Sequence, residues 1–142
     1  MSTKKAYIKQ IKGIAFAGRT DSNHWITMDG PPDFGGSDSG IRPKELLLIA
    51  LAGCTGSDVV SILQKKKANL KDFEINISAE VSDQHPKVFT DIDLEYVFYG
   101  KGINQKDVER AIGLSQTTYC AVTKMLEKSI NIKHTYRIVE SE

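Results

Sequence analysis

Apolar positions follow different rhythms along this chain. From Pro43 to Leu63 the sequence reads PKELLLIALAGCTGSDVVSIL, and Leu46, Leu47, Leu48, Ile49, Ala50, Leu51 and Ala52 put apolar side chains on every side of a helix. A surface helix carries one apolar stripe, whereas a helix apolar all round needs cover from more than one direction. Pro43 suits the first turn, where its missing N–H costs nothing. Lys65, Lys66 and Lys67 suit the carbonyl end, and Asn69 is a stop signal. The pattern predicts a long central helix from Pro43 to about Lys67.

The rhythm then changes to two. Phe73, Ile75, Ile77, Ala79 and Val81 alternate with Glu74, Asn76, Ser78, Glu80 and Ser82, which predicts a strand with one buried face. Asp83 to Pro86 makes a turn, and Lys87 to Tyr99 returns with Val88, Thr90, Ile92, Leu94, Tyr96 and Phe98 on one side. Before the helix, Ala6 to Ala17 has strand character without clean alternation. Gly18 to Asn23 gives turn chemistry, and His24 to Asp29 completes a hairpin. The Gly, Pro, Ser and Asp-rich stretch Gly30 to Arg42 is a loop.

After the strands, Asn104 and Asp107 mark a helix start. Val108, Ala111, Ile112 and Ser115 share a helical face, and Gly113 with Gln116-Thr117-Thr118 weakens continuity. Two helices, Gln105 to Ser115 and about Thr118 to Glu127, are expected, then a closing strand from Asn131 to Val139. The order β-β-α-β-β-α-α-β predicts an α+β fold, a single domain over residues 1–142, with an antiparallel sheet packed on the central helix.

Charge and composition narrow the partners. The 142 residues carry a formal net charge of +1, which gives no reason to expect nucleic acid or an anionic membrane surface. The N-terminus is polar and basic without a signal-peptide core, and Gly53, Gly56 and Asp58 interrupt the central apolar run. A cytoplasmic setting follows as the expectation, and there two cysteines are reduced, buried or catalytic rather than a permanent bridge.

Cys54 and Cys120 lie too far apart in sequence for a local Cys-x-x-Cys pair or zinc knuckle. Taken alone, each reads as a small buried hydrophobe. Asp91, Asp93 and Glu95 read as a wet strand face, and His24, His85 and His134 show no metal spacing, so no metal or cofactor is expected. The glycines of the loop match no phosphate cradle.

The segments Pro43-x-Glu45-Leu46-Leu47-Leu48, Ala50-Leu51-Ala52-Gly53-Cys54-Thr55 and Asp58-Val59-Val60 resemble the first-cysteine motif of the OsmC/Ohr-like family. Tyr119-Cys120-Ala121-Val122 resembles its second. Gly35-Gly36, Pro86 and Ala111-Ile112 with Leu114-Ser115 extend the likeness through most of the chain. The resemblance implies an OsmC-like fold and an intertwined homodimer, in which strands of both chains wrap two central helices. It implies a thiol peroxidase acting on organic hydroperoxides, with Cys54 peroxidatic, Cys120 resolving and an external dithiol as reductant. It also implies an activating arginine, best matched by Arg19, and a glutamate that holds it. The peroxidase branch has that glutamate directly after the helix proline, where this chain has Lys44; Glu45 follows one place later. Nine positions separate Glu45 from Cys54, opposite faces of a straight helix, so Glu45 reaches a thiol only through a helix break or from the other chain. Asp58, one turn beyond Cys54, would oppose thiolate formation if close to it. Two other expectations fit a departing branch: a non-catalytic dimer binding a small apolar ligand, and a thiol redox sensor.

Overall fold

Gly13 divides the first predicted strand. Its backbone takes φ +57°, a left-handed conformation that glycine adopts without strain, and the chain reverses there. In the computed structural model, which describes all residues from Met1 to Glu142, Ala6–Lys12 forms β1 and Ala15–Thr20 forms β2. Trp25–Met28 forms β3, and the three strands make an antiparallel sheet in the order β1-β2-β3. The expected hairpin is therefore a three-stranded meander. Its second turn ends at Asn23, also left-handed at φ 64°.

The chain divides into two compact units, Met1–Leu48 and Ile49–Glu142. In the first, the predicted loop is organised by one buried carboxylate. Asp29 accepts hydrogen bonds from the backbone N–H groups of Gly30, Ser37 and Ser39 and from Ser39 Oγ, at 2.7–3.1 Å. These donors hold its carboxyl well below the usual range, the Ser39 hydroxyl most of all.

The long helix α1, Glu45–Lys65, is unbroken. Its stop falls at Lys67, left-handed at φ 58°, rather than at Asn69. By length and mean hydropathy, 2.0, it is long and apolar enough to cross a membrane, contrary to the expectation from its interruptions. Leu51, Thr55, Val59 and Leu63 are fully buried within the protein. The outward side is not covered: Leu47 is 43% and Ile49 56% exposed.

In the second unit, β4 (Leu70–Val81) and β5 (Phe89–Gly100) pair antiparallel, and β6 (Asn131–Glu140) pairs parallel to β5, giving the order β4-β5-β6. The expected all-antiparallel sheet is thus corrected to a mixed one. Between β5 and β6 run α2 (Gln105–Leu114), a π-helical turn (Ser115–Tyr119) and α3 (Ala121–Leu126). They carry the chain back along the sheet, so that it re-enters beside Asp91 in the direction of β5; a parallel pair requires such a crossover. The full order is β-β-β-α-β-β-α-α-β, one strand more than expected, within the predicted α+β class. Ile92, Leu94, Tyr96, Val97 and Phe98 of the central strand β5 are fully buried and form the core with α1 and α2. Gly56 lets β4 close on α1, since a Cβ there would meet Ile75 Cδ1 at 3.1 Å.

Candidate functional site

The regular turn of α1 places Cys54, Thr55 and Asp58 in one region of the helix, on the flank that meets the π-helical turn. Cys54 is half-buried. Cys120 is fully buried at the junction between the π-helical turn and α3, where it serves as the N-cap. Its Sγ accepts the Thr123 N–H at 3.4 Å, and its own N–H donates to the Ser115 carbonyl at 2.8 Å. The Cys54 sulfur lies close enough to Cys120 to act on its titration. Sequence-distant cysteines are thus brought together in one reduced chain.

Burial pushes the Cys120 thiol up, and the neighbouring Cys54 sulfur adds to the rise. Thr123 opposes it through its backbone N–H and its hydroxyl. The net direction keeps Cys120 a neutral thiol.

Beside the thiols runs a chain of polar side chains that the apolar pattern concealed. Ser115 Oγ donates to Asp58 Oδ2 at 2.8 Å. Ser115 Oγ and Thr55 Oγ1 lie 2.8 Å apart, Thr55 Oγ1 and the Tyr96 hydroxyl 2.8 Å, and the Tyr96 hydroxyl and His134 Nδ1 2.9 Å. Each hydroxyl has one proton to give. Ser115 gives its proton to the carboxylate, so Thr55 donates to Ser115 and Tyr96 donates to Thr55. His134 must then donate from Nδ1 to Tyr96. That assigns the Nδ1–H tautomer and leaves Nε2 an acceptor, consistent with a buried Nε2 that has no partner.

Burial raises Tyr96 from 10.0 to about 12, with the Cys120 and Asp58 charges adding and the Thr55 bond opposing. Burial lowers His134, with the Glu127 charge opposing, so the imidazole stays neutral. The two rings stack at 5.8 Å between centroids and 15° between planes.

The other expected site residues, Arg19 and Glu45, have partners within the first unit. Arg19, on β2, has its guanidinium 5.4 Å from the Trp25 ring centroid and 5.9 Å from that of Tyr7, and it donates to Asn23 Oδ1 at 3.1 Å. Glu45 caps its own helix: Oε1 accepts the Arg42 N–H at 2.9 Å, and the Glu45 N–H donates to the Arg42 carbonyl at 3.0 Å. Because α1 is unbroken, Glu45 and Cys54 stay on opposite faces of it. Asp58 is engaged by Ser115. Along the other side of α1 runs an apolar groove of about 670 Å³, lined by Ile49, Ala52, Gly53, Val60, Phe73 and Ile75 among others, and neither cysteine lines it. No group of three or more His, Cys, Asp or Glu side chains is placed to hold a metal ion.

Thr55, Tyr96, Ser115 and His134 were not expected in the site. One signal was legible: Ser115 is a hydroxyl on a helical face otherwise made of Val108, Ala111 and Ile112.

The profile of the family described as OsmC-like protein matches residues 36–135. Protein YhfA of Escherichia coli K12 is 38% identical over 135 residues, covering 95% of this chain and 98% of its own. A crystal structure of a hypothetical protein from Aquifex aeolicus VF5 is 30% identical, with a TM-score of 0.87 and complete coverage of both chains. An organic hydroperoxide resistance protein OsmC from Legionella pneumophila shares the fold at 17% identity, with a TM-score of 0.70 and coverage of 96% of this chain and 97% of its own.

Proposed function

Because the chain belongs to the OsmC-like protein family, we propose that it is a thiol-dependent peroxidase that reduces organic hydroperoxides through Cys54 and Cys120. The observation that carries this reading is the proximity of the two thiols, with Cys54 the more open of the pair. The Legionella relative's designation as an organic hydroperoxide resistance protein supports the substrate class.

The Cys54 thiolate attacks the terminal oxygen of the hydroperoxide. The O–O bond breaks, the alkoxide leaves and takes up a proton as the alcohol, and Cys54 becomes a sulfenic acid. The Cys120 sulfur then attacks Cys54: an S–S bond forms, the S–O bond breaks, and hydroxide leaves with the Cys120 proton as water. An external dithiol restores both thiols by exchange. A raised Cys120 is suited to the second role, since it remains protonated while Cys54 reacts first.

The active species in this proposal is a cytoplasmic homodimer with the whole chain acting as one domain. It is supported by the uncovered Leu47 and Ile49 and by the apolar groove along α1. We assign activation of Cys54 to Arg19 of the partner chain. Arg19 makes no salt bridge, and its side-chain acceptor, Asn23, is neutral. Glu45 is assigned to holding that guanidinium across the dimer.

Reduced protein exposed to an organic hydroperoxide is expected to lose two hydrogens per chain in intact mass and both free thiols. The loss is faster than with hydrogen peroxide, slowed by Arg19→Gln, and abolished by Cys54→Ser. Thiols that survive prolonged exposure would rule the activity out and leave a ligand-binding dimer as the reading.

A further inference from the structure

Ser115 grips both cysteine-bearing segments at once. Its hydroxyl reaches α1, donating to Asp58 Oδ2 at 2.8 Å and lying 2.8 Å from Thr55 Oγ1, while its carbonyl accepts the Cys120 N–H at 2.8 Å. Thr55 directly follows Cys54, and Asp58 lies one helical turn beyond it. The segment being held needs such a tie. Between α2 and α3 the helix widens into a π-helical turn that ends at Cys120 in an extended conformation, φ −78°, ψ 101°.

We propose that Asp58 and Ser115 are positioning residues: they hold the Cys120 sulfur against that of Cys54 and so set how readily the pair closes to a disulfide. The inference rests on the two-cysteine cycle proposed above. In it Asp58 acts as a fixed acceptor. Its carboxylate takes the Ser115 proton, which obliges Thr55 to donate to Ser115 and closes the second strap between α1 and the turn. Without Asp58, the Ser115 hydroxyl loses its fixed acceptor and the tie between α1 and the turn that carries Cys120 weakens; without the Ser115 hydroxyl, Thr55 and Asp58 both lose a partner.

The test uses no peroxide. Native protein is equilibrated with mixtures of oxidised and reduced dithiothreitol, so that two protein thiols form a disulfide as the cyclic reagent disulfide becomes a dithiol. The equilibrium constant is read from the fraction of protein lacking two hydrogens. Ser115→Ala and Asp58→Ala are each expected to lower it by about tenfold or more, the scale of losing a charge-assisted hydrogen bond. Asp58→Asn is expected to stay within about threefold, because its amide oxygen can accept the same proton. Constants for Ser115→Ala and Asp58→Ala that match the unaltered protein overturn the proposal. So does an Asp58→Asn value as low as that of Asp58→Ala, which would make charge rather than position the cause. A pair that never closes in the native protein also overturns it.

A second measurement needs no variant. Imidazole ¹⁵N shifts of the unaltered protein are expected to show His134 as the Nδ1–H tautomer; an Nε2–H tautomer overturns the assigned direction of the chain and the Asp58 anchor with it. A pair that closes with dithiothreitol but ignores organic hydroperoxides would remove the peroxidase and leave the positioning role intact.

Discussion

The two units of the chain treat apolar side chains in opposite ways. In Ile49–Glu142 the central strand β5 hides Ile92, Leu94, Tyr96, Val97 and Phe98 completely, and Leu51, Val59 and Leu63 of α1 are hidden with them. In Met1–Leu48 the buried apolar side chain is Ala15, while Tyr7, Ile8, Ile11, Trp25 and Ile26 stand about half exposed. The second unit carries its own core and both cysteines; the first presents surface suited to an external cover.

Three experiments bear on that contrast. The largest effect is expected in the core: Phe98→Ala removes a fully buried ring packed 5.0 Å from that of Phe73, at a cost of about 3–5 kcal/mol in denaturant unfolding. Trp25→Ala, measured at protein concentrations low enough to dissociate any dimer, is expected to cost less than about 1 kcal/mol. Equal losses would erase the distinction between the units.

Next comes Tyr96. Its folded-state pKa is raised from 10.0 to about 12, so the unfolded chain releases that proton first. The contribution is fully present below pH 10 and is lost as pH rises towards 12, a decline on the order of 2 kcal/mol. Tyr96→Phe is expected to flatten this alkaline loss, and a variant with an unchanged slope would place the titration elsewhere.

The smallest effect on a chain's own stability is expected at the outward face of α1. Ile49→Asp puts a charge on a side chain that is 56% exposed, and it is expected to weaken self-association by roughly tenfold or more. Molar mass by light scattering reads this directly. A variant that associates as tightly as the original would exclude this face from the proposed dimer.

Much of the fold was legible because it is written in local periods. The central helix and the alternation of Phe73, Ile75, Ile77 and Ala79 against polar neighbours stand as read, whereas Val81 and Val88, beside the turn, are exposed rather than inward. The break between the later helices also falls where Gly113 and the Gln116 to Thr118 run placed it. What escaped was geometry without a local signature. Gly13 turns the chain with a single left-handed residue inside a segment of continuous strand character. The direction of β6 depends on the path of two helices, not on its own alternation. The polar chain was hidden most deeply. Its links join residues 57, 60, 41 and 38 positions apart, and Thr55 and Tyr96 sit at positions whose pattern signals only burial. The two cysteines were expected as a pair through motif resemblance, never through spacing.

The parallel seat of β6 also bears on how the protein is built in time. Asp91 pairs with Asn131, forty residues later, so closing that ladder confines a long stretch of chain before its first hydrogen bond is made. The β4–β5 hairpin, by contrast, closes over the short turn between Val81 and Phe89. Non-local pairing of this kind slows folding, which places the docking of β6 after the hairpin and the intervening helices. Pulse-labelling hydrogen exchange during refolding is expected to show β4 and β5 amides protected before those of Ile132 to Ile138. His134 therefore joins Tyr96 last, and the line of hydroxyls leading to Asp58 is completed only when the final strand arrives.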